Sequence, residues 1–277
     1  MNKYILGLGF LVLAINAQAQ KFTAAVFGGV SYYQGDLQPK SFTSKELHGA
    51  YGVGLLYEIS EKFYGRLNLR SGTISGDDKK NPDDRTRTRN LNFTSSIMDV
   101  SLGLEYHILN IHRYNIAPYV FAGVGYFHYN PKAIDVSGKK VALQPLGTEG
   151  QGFLPGSDPY KLNQMSLPFG AGVKYRLSDY IQLGIEVDFN KTFTDYLDDV
   201  STVYVDKNTL LTNRGQVAVD LAFREDELFP THPYPKAGEK RGYPNKKDWY
   251  YFTGFSIYYT FNPLAKEDRE EKRNRDF

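Results

Sequence analysis

Ile181-Gln182-Leu183-Gly184-Ile185-Glu186-Val187-Asp188-Phe189-Asn190 decides the fold. Ile181, Leu183, Ile185, Val187 and Phe189 share one face of an extended chain; Gln182, Gly184, Glu186, Asp188 and Asn190 share the other. Strict alternation over a stretch of this length marks a strand with one apolar and one polar face. Segment 166–177 repeats the pattern, with Leu167, Phe169, Ala171, Val173, Tyr175 and Leu177 opposite Ser166, Gly170, Gly172, Lys174 and Arg176. In 63–70, Phe63, Leu67 and Leu69 oppose Arg66, Asn68 and Arg70, and in 98–107 Met98, Val100, Leu102, Leu104 and Tyr106 oppose Asp99, Ser101, Gly103, Glu105 and His107. Fainter strands are expected at 22–33, 48–59, 116–129 and 249–261. In 116–129 both faces are apolar or small, so the pattern does not tell inside from outside there. Each segment is near or above the roughly 9–11 residues that a tilted transmembrane strand needs.

The connections sort by length. Ser60-Glu61, 108–115 and Ser178-Asp179 are short, whereas 34–47, 76–91, 130–162 and 192–248 are long and polar. Long and short alternate along the chain, as in outer-membrane barrels with short periplasmic turns and long extracellular loops. The expectation is an all-β, transmembrane antiparallel barrel of eight strands over residues 20–262, with both termini periplasmic. Segment 216–224 reads either as a strand paired with 201–206, which would make ten, or as a helix through Val217, Leu221 and Arg224. Eight is the preferred count.

Residues 1–19 read as a signal peptide: Lys3, an apolar run from Tyr4 to Ile15, then Ala17-Gln18-Ala19 as the small-x-small site before Gln20. That run is shorter than the roughly 20 residues of a spanning helix. The chain has no cysteine, which removes disulfide frameworks, thiolate metal sites and cysteine nucleophiles. Its 33 basic and 31 acidic residues nearly cancel, which argues against a nucleic-acid surface. Aromatic residues make up 15% of the chain, 22 of them tyrosine. Tyrosine suits a strand between lipid and water, because its ring is apolar and its hydroxyl reaches the headgroups.

With the apolar face toward lipid, the lumen receives Glu58, Arg66, Arg70, Asp99, Glu105, Lys174, Arg176, Glu186 and Asp188. An eight-stranded barrel is just wide enough for side chains to fill. Opposite charges in that space are expected to pair, because an unpaired buried charge costs several kcal/mol. The reading is a plugged barrel rather than a diffusion pore.

Gly35-Asp36-Leu37, Arg89-Asn90-Leu91-Asn92-Phe93, Asn130-Pro131, Pro145-Leu146-Gly147-Thr148-Glu149-Gly150-Gln151-Gly152 and Thr192-Phe193-Thr194-Asp195-Tyr196-Leu197-Asp198-Asp199-Val200-Ser201 stand in order along the long loops. Together they resemble the PorG-like family of outer-membrane proteins, a family of unknown-function domains. The resemblance spans nearly the whole mature chain. It implies an accessory barrel of a type IX secretion system, associated with a periplasmic ring built from a lipoprotein and its partner. It also favours helix for 216–224.

Chemistry is expected to be absent, with no catalytic residue and no cofactor. The histidines 48, 107, 112, 128 and 232 stand in no local serine–histidine pattern. His107 and Glu105 share a strand face, with Ser101 the nearest serine partner on it. Asp77, Asp78, Asp83 and Asp84 form an acidic cluster that could bind calcium, but Arg85, Arg87 and Arg89 follow and could neutralise it, so polar loop ends or caps are the expected role. Asp195, Asp198 and Asp199 are the candidate calcium ligands, since oxygen donors suit that ion, though no EF-hand spacing is present. Residues 263–277 form a charge-dense tail, placed in the periplasm by this topology. The functional expectation is a non-enzymatic barrel in outer-membrane lipid that serves a secretion assembly. The alternatives are a stand-alone barrel whose loops bind ligands or surfaces, and a lipid-modifying enzyme.

Overall fold

The polarity of the strands reverses once along their length, and that reversal sets the architecture. On the lower part of Phe63–Asp77, Phe63, Leu67 and Leu69 point outward while Arg66, Asn68 and Arg70 point inward; above them Ser71 and Thr73 point outward and Ile74 inward. Asn92–His107 does the same: Met98 to Tyr106 are outward and apolar, Thr94 and Ser96 outward and polar, and Phe93 and Ile97 inward and buried. The lower wall thus faces lipid around a polar interior. The upper wall faces water around an apolar one. Alternation continues through the switch, so these strands run past the ends expected at residues 70 and 98.

The computed structural model describes residues 22–39, 46–81 and 83–261. The signal segment 1–19, the tail 263–277 and part of the 34–47 loop lie outside the described residues. The strands are β1 (Phe22–Gln34), β2 (His48–Glu58), β3 (Phe63–Asp77), β4 (Asn92–His107), β5 (Ile116–Ile134), β6 (Lys140–Ala142), β7 (Asn163–Arg176), β8 (Ile181–Thr192) and β9 (Trp249–Thr260). Eight of them close antiparallel in the order β1-β2-β3-β4-β5-β7-β8-β9, and β9 returns to β1 with Val26 opposite Ile257. β6 is a three-residue flap on the upper end of β5. Closure matters in a bilayer, because no strand edge is left to expose unpaired backbone groups to hydrocarbon.

Outward side chains of the lower wall are strongly exposed, including Val26 at 62%, Leu102 at 61% and Ile257 at 58%. From Ile181 to Phe189 the apolar stretch runs about 26 Å along the strand at ~3.3 Å per residue, about 20 Å in height at a tilt of roughly 35–45°, which covers most of the roughly 25 Å band of a membrane barrel. In β5 the structure resolves which side faces in: Tyr119, Phe121, Phe127 and Tyr129 are buried, and Val120, Val124 and Tyr126 are exposed.

At one end the strands join through short turns. At the other, the long connections carry three short helices: α1 (Asp84–Arg89), α2 (Lys207–Arg214) and α3 (Gln216–Ala222). Asp83 caps α1 by accepting from Thr86 N at 3.0 Å, and Asp206 caps α2 by accepting from Thr209 N at 2.8 Å. Segment 216–224 is therefore helical over most of its length, with Ala218, Val219, Leu221 and Ala222 buried at helical spacing. The 201–206 stretch forms only an isolated bridge, Val203 to Lys240, so the ten-strand alternative does not hold.

Candidate functional site

Stacked layers fill the barrel, beginning at the short-turn end. There the 108–115 turn folds across the opening and inserts Ile111, 3% exposed. Arg176 holds that turn, donating Nη1 to the carbonyls of Ile111 (3.2 Å) and His112 (3.4 Å) and Nη2 to Asp179 (2.9 Å). His112 Nε2 meets Glu58 at 3.2 Å and Tyr64 at 3.3 Å. Of the nine charged residues expected in the lumen, Glu58 and Arg176 thus close the mouth.

Above the mouth, three cations meet three carboxylates. Arg66 donates to Glu105 (3.2 Å) and to both oxygens of Glu186 (3.1 Å each), and Arg70 donates to Glu186 (2.5 Å) and Asp188 (2.7 Å). Lys174 donates to Glu105, and Tyr119 adds a hydroxyl to Glu186 at 2.6 Å. The guanidinium of Arg66 lies 3.7 Å from the centre of the Phe121 ring, and that of Arg70 lies 4.5 Å from Phe27. These stacked contacts use the flat face of the cation while its edge pairs with carboxylate. Small inward residues on β1 and β2, among them Ala25, Gly52 and Gly54, leave room for the two arginines. A residual cavity of about 10 Å³ beside Arg66 and Arg70 is at the threshold for one water. Asp99 departs from the expected pairing: it accepts the Tyr250 hydroxyl at 2.8 Å and forms no salt bridge among the described residues. Alternation gave its face but not its height in the barrel.

At the long-loop end the quoted loop motifs converge on one another. Glu149 accepts from Ser201 N (2.9 Å), Thr202 N (2.9 Å), the Thr202 hydroxyl (2.7 Å) and Arg241 Nη1 (2.9 Å). Arg241 also donates to the carbonyls of Asp199 (2.5 Å) and Ala222 (3.2 Å). Asp199 accepts the hydroxyls of Thr148 (2.6 Å) and Tyr160 (2.7 Å). Arg89 ties α1 into the same knot, donating to the Arg241 carbonyl at 2.9 Å and to both oxygens of Asp78 at 2.8 Å. Asp36 reaches across to Tyr243 N at 2.9 Å. Gly147 turns at φ +55°, where a Cβ would stand 2.3 Å from the Gln151 carbonyl oxygen. All four long connections are thereby knitted into a cap.

The calcium candidates serve this cap. Asp199 takes two hydroxyls, Asp198 accepts from Tyr33 and Val200 N, and Asp195 accepts from Ser201. Among the described residues no three His, Asp or Glu side chains are grouped to hold a metal. Burial dominates their titration: it lifts Asp199 to about 6 and Asp195 to about 7. Burial, joined by neighbouring acids, raises Asp198 and Asp248 well above the usual carboxylate range. Arg241 and Glu149 were not among the expected functional residues. Glu149 lies in a quoted motif, whereas Arg241 sits in a polar stretch with no periodic signal.

Two histidine arrangements bear on hydrolysis. His107 Nε2 contacts Glu105 at 2.7 Å, but the Ser101 hydroxyl turns to Asp99. Ser75, His48 and Glu46 come together unannounced by sequence spacing, with His48 Nε2 at 2.7 Å from Ser75 Oγ. Glu46 approaches that same Nε2 at 3.9 Å and accepts the serine hydroxyl itself. A catalytic relay needs the acid on the other ring nitrogen, orienting the base. This trio has no such geometry.

A closed antiparallel barrel with an outward apolar band, a charge-filled lumen and a knitted loop cap defines a membrane-spanning barrel of the outer-membrane type. Residues 2–147, just over half of the 277-residue chain, match the family described as a domain of unknown function (DUF6089), and the chain belongs to that family. No curated protein matches the sequence. Similar solved structures include Neisserial surface protein A at 9% identity and TM-score 0.42, covering 86% of this chain and 96% of that one. The outer membrane protein OprG from Pseudomonas aeruginosa is 10% identical at TM-score 0.41, with 87% and 97% covered. Ail, the attachment invasion locus protein of Yersinia pestis, is 9% identical at TM-score 0.39, with 86% and 98% covered.

Proposed function

We propose that the protein is a non-enzymatic outer-membrane barrel acting as an accessory or anchoring component of a type IX secretion assembly. In this reading the first nineteen residues are removed on export, the long loops face outside, and both termini lie in the periplasm. The observation that carries it is the obstruction of the lumen at three levels, by Ile111, by the charge layer and by the cap. A barrel filled in this way acts through its surfaces rather than as a conduit. The resemblance of the loop motifs to PorG-like proteins supplies the assembly. Its periplasmic partners would be the ring lipoprotein and that lipoprotein's own partner. The short turns offer Ile59, Leu109, Tyr114 and Leu177, all exposed, as contact surface.

The test is a mild-detergent pull-down of the tagged protein from native envelopes, followed by mass spectrometry, with secretion assayed in a deletion strain. Co-purified ring proteins and a secretion defect are the expected result. Normal secretion with no ring protein recovered would leave a stand-alone barrel with ligand-binding loops.

A further inference from the structure

The outer wall is not uniform around its circumference. Where the apolar band ends, β3 and β4 present Ser71, Thr73, Ser96 and Thr94, with no charge, and β2 presents Gly49. The opposite half is basic. Lys191 follows Phe189 on the outward face of β8, Lys161 stands two outward positions beyond Met165 of β7, and Lys132 stands three beyond Tyr126 of β5. Lys140, on the β6 flap, pairs with Ile134. Lys140, Lys161 and Lys191 are exposed and Lys132 is half-buried; among the described residues none of the four forms an ion pair. The acids nearest in sequence are Asp188, which is buried and accepts from Arg70, Asp158, which is exposed, and Asp135, whose carboxylate is taken by Ser137 and Lys139 backbone.

Below Lys191 lies an aromatic floor on the same outward face. Phe169 and Phe189 stack at 5.6 Å and Phe169 meets Trp249 edge-on at 6.0 Å, and these three rings are at least partly exposed. Tyr251 joins Phe189 at 5.6 Å and Tyr32 at 4.8 Å, and those two tyrosines are buried. Trp249 lies directly opposite Lys191 in the β8–β9 ladder.

We propose that this half of the rim, over β5–β9, is a docking face for a phosphorylated glycolipid of the outer leaflet. Acyl chains lie on the aromatic floor and phosphates meet the lysines. The spread of the lysines selects a glycolipid over an ordinary phospholipid. Outward positions recur about 6.6 Å apart along a strand, or about 5 Å in height at a tilt of roughly 35–45°, so Lys191, Lys161 and Lys132 stand roughly 5, 10 and 15 Å above the apolar edge of their own strands. The headgroup zone adds only about 5–8 Å per leaflet. Lys191 lies within it, whereas Lys161 and Lys132 rise above it and fit phosphates carried on a sugar core. The inference rests on the membrane-barrel reading and on the orientation proposed above, and not on any role in secretion.

Trp249 is the only tryptophan in the chain, so its fluorescence reports on this face without any substitution. The protein is placed in phosphatidylcholine nanodiscs, in which added lipid reaches both faces whatever the cellular orientation. Trace acyl-spin-labelled lipids are then compared: a phosphorylated core glycolipid, diphosphoryl lipid A, dephosphorylated lipid A, phosphatidylglycerol and phosphatidylcholine. The core glycolipid is expected to quench Trp249 at the lowest mole fraction, with diphosphoryl lipid A next. K191Q should weaken both by about five-fold, and K132Q/K140Q/K161Q should weaken only the core-bearing lipid, since each lysine near a membrane surface contributes about a factor of five. Ser71→Gln and Thr73→Gln, on β3 across the barrel from β8, should change nothing. Equal quenching by phosphatidylglycerol, or lysine variants indistinguishable from the parent, would overturn the proposal. Quenching by labelled phosphatidylcholine alone still reports a barrel seated in the bilayer, which separates failure of this inference from failure of the barrel reading.

Discussion

Arg241→Met tests whether the cap is held by its buried ion pair. Arg241 is 4% exposed and Glu149 5%. Removing one member of a buried pair commonly costs about 3–5 kcal/mol, because the other charge stays behind uncompensated. Glu149 would keep Ser201 N, Thr202 N and the Thr202 hydroxyl as donors, which argues for the lower end. About 3 kcal/mol corresponds to a rise of roughly 150-fold in the population of the open cap, at a factor of ten per 1.4 kcal/mol. Hydrogen exchange at the amides of Ser201, Thr202 and Tyr204 measures this directly, while heat-modifiable migration on a gel reports the intact barrel. Adding Glu149→Gln to Arg241→Met should restore part of the protection, since no orphan charge remains. Unchanged exchange in the single variant would refute the reasoning, as would loss of the barrel itself.

The plugged lumen predicts negligible conductance in planar bilayers; stable porin-scale conductance would contradict the layers formed by Ile111, Arg66, Arg70 and the cap. Ile185→Arg should cost about 2–4 kcal/mol near the bilayer midplane, and equal tolerance of Arg at positions 185 and 186 in folding titrations would reverse the assignment of faces. Cap protection should fall as pH rises. Asp199 at about 6 and Asp195 at about 7 lie above their unfolded values near 3.9, so their stabilisation is complete below about pH 4 and is lost as pH climbs through 6 and 7. Asp198 and Asp248, raised further, extend the loss in the same direction. Exchange corrected for intrinsic rate that slows between pH 5 and pH 8 would refute that sign.

The eight strands could be read from the sequence wherever lipid dictates the outward face, as in 181–190, because hydrocarbon tolerates only apolar side chains there. The upper parts of β3 and β4 were missed for a physical reason. Once the wall clears the membrane, Ser71, Thr73 and Ser96 can face water, and Ile74 and Ile97 supply an interior core. The alternation survives with its sign exchanged, so a search for apolar-out residues stops at the membrane edge. Lumen pairing was legible only in part. Face parity put Asp99 among the inward charges, but its height set it beside Tyr250 rather than an arginine, and only the barrel's stagger supplies heights. The cap was least legible. Glu149 and Arg241 are 92 residues apart in the chain, and loops lack the period that reveals a partner.

The interior core explains why cap and barrel behave as one body. Phe27, Phe127 and Phe252 from the strand walls share a buried cluster with Leu37, Leu91, Leu143, Leu197, Val200 and Leu221 from the loops. The cap is therefore an extension of the lumen's packing rather than a lid resting on it. Tyr33, at the upper end of β1, reinforces the junction by donating its hydroxyl to Asp198 in the last loop. An opening motion would have to expose this apolar cluster and strip the carboxylates of their hydroxyl partners together, which opposes gating by small displacements of a single loop. Any partner at the long-loop end accordingly meets a preformed surface, where binding loses little to ordering of the loops. A chain built in this way would be recognised by shape and charge on its outside.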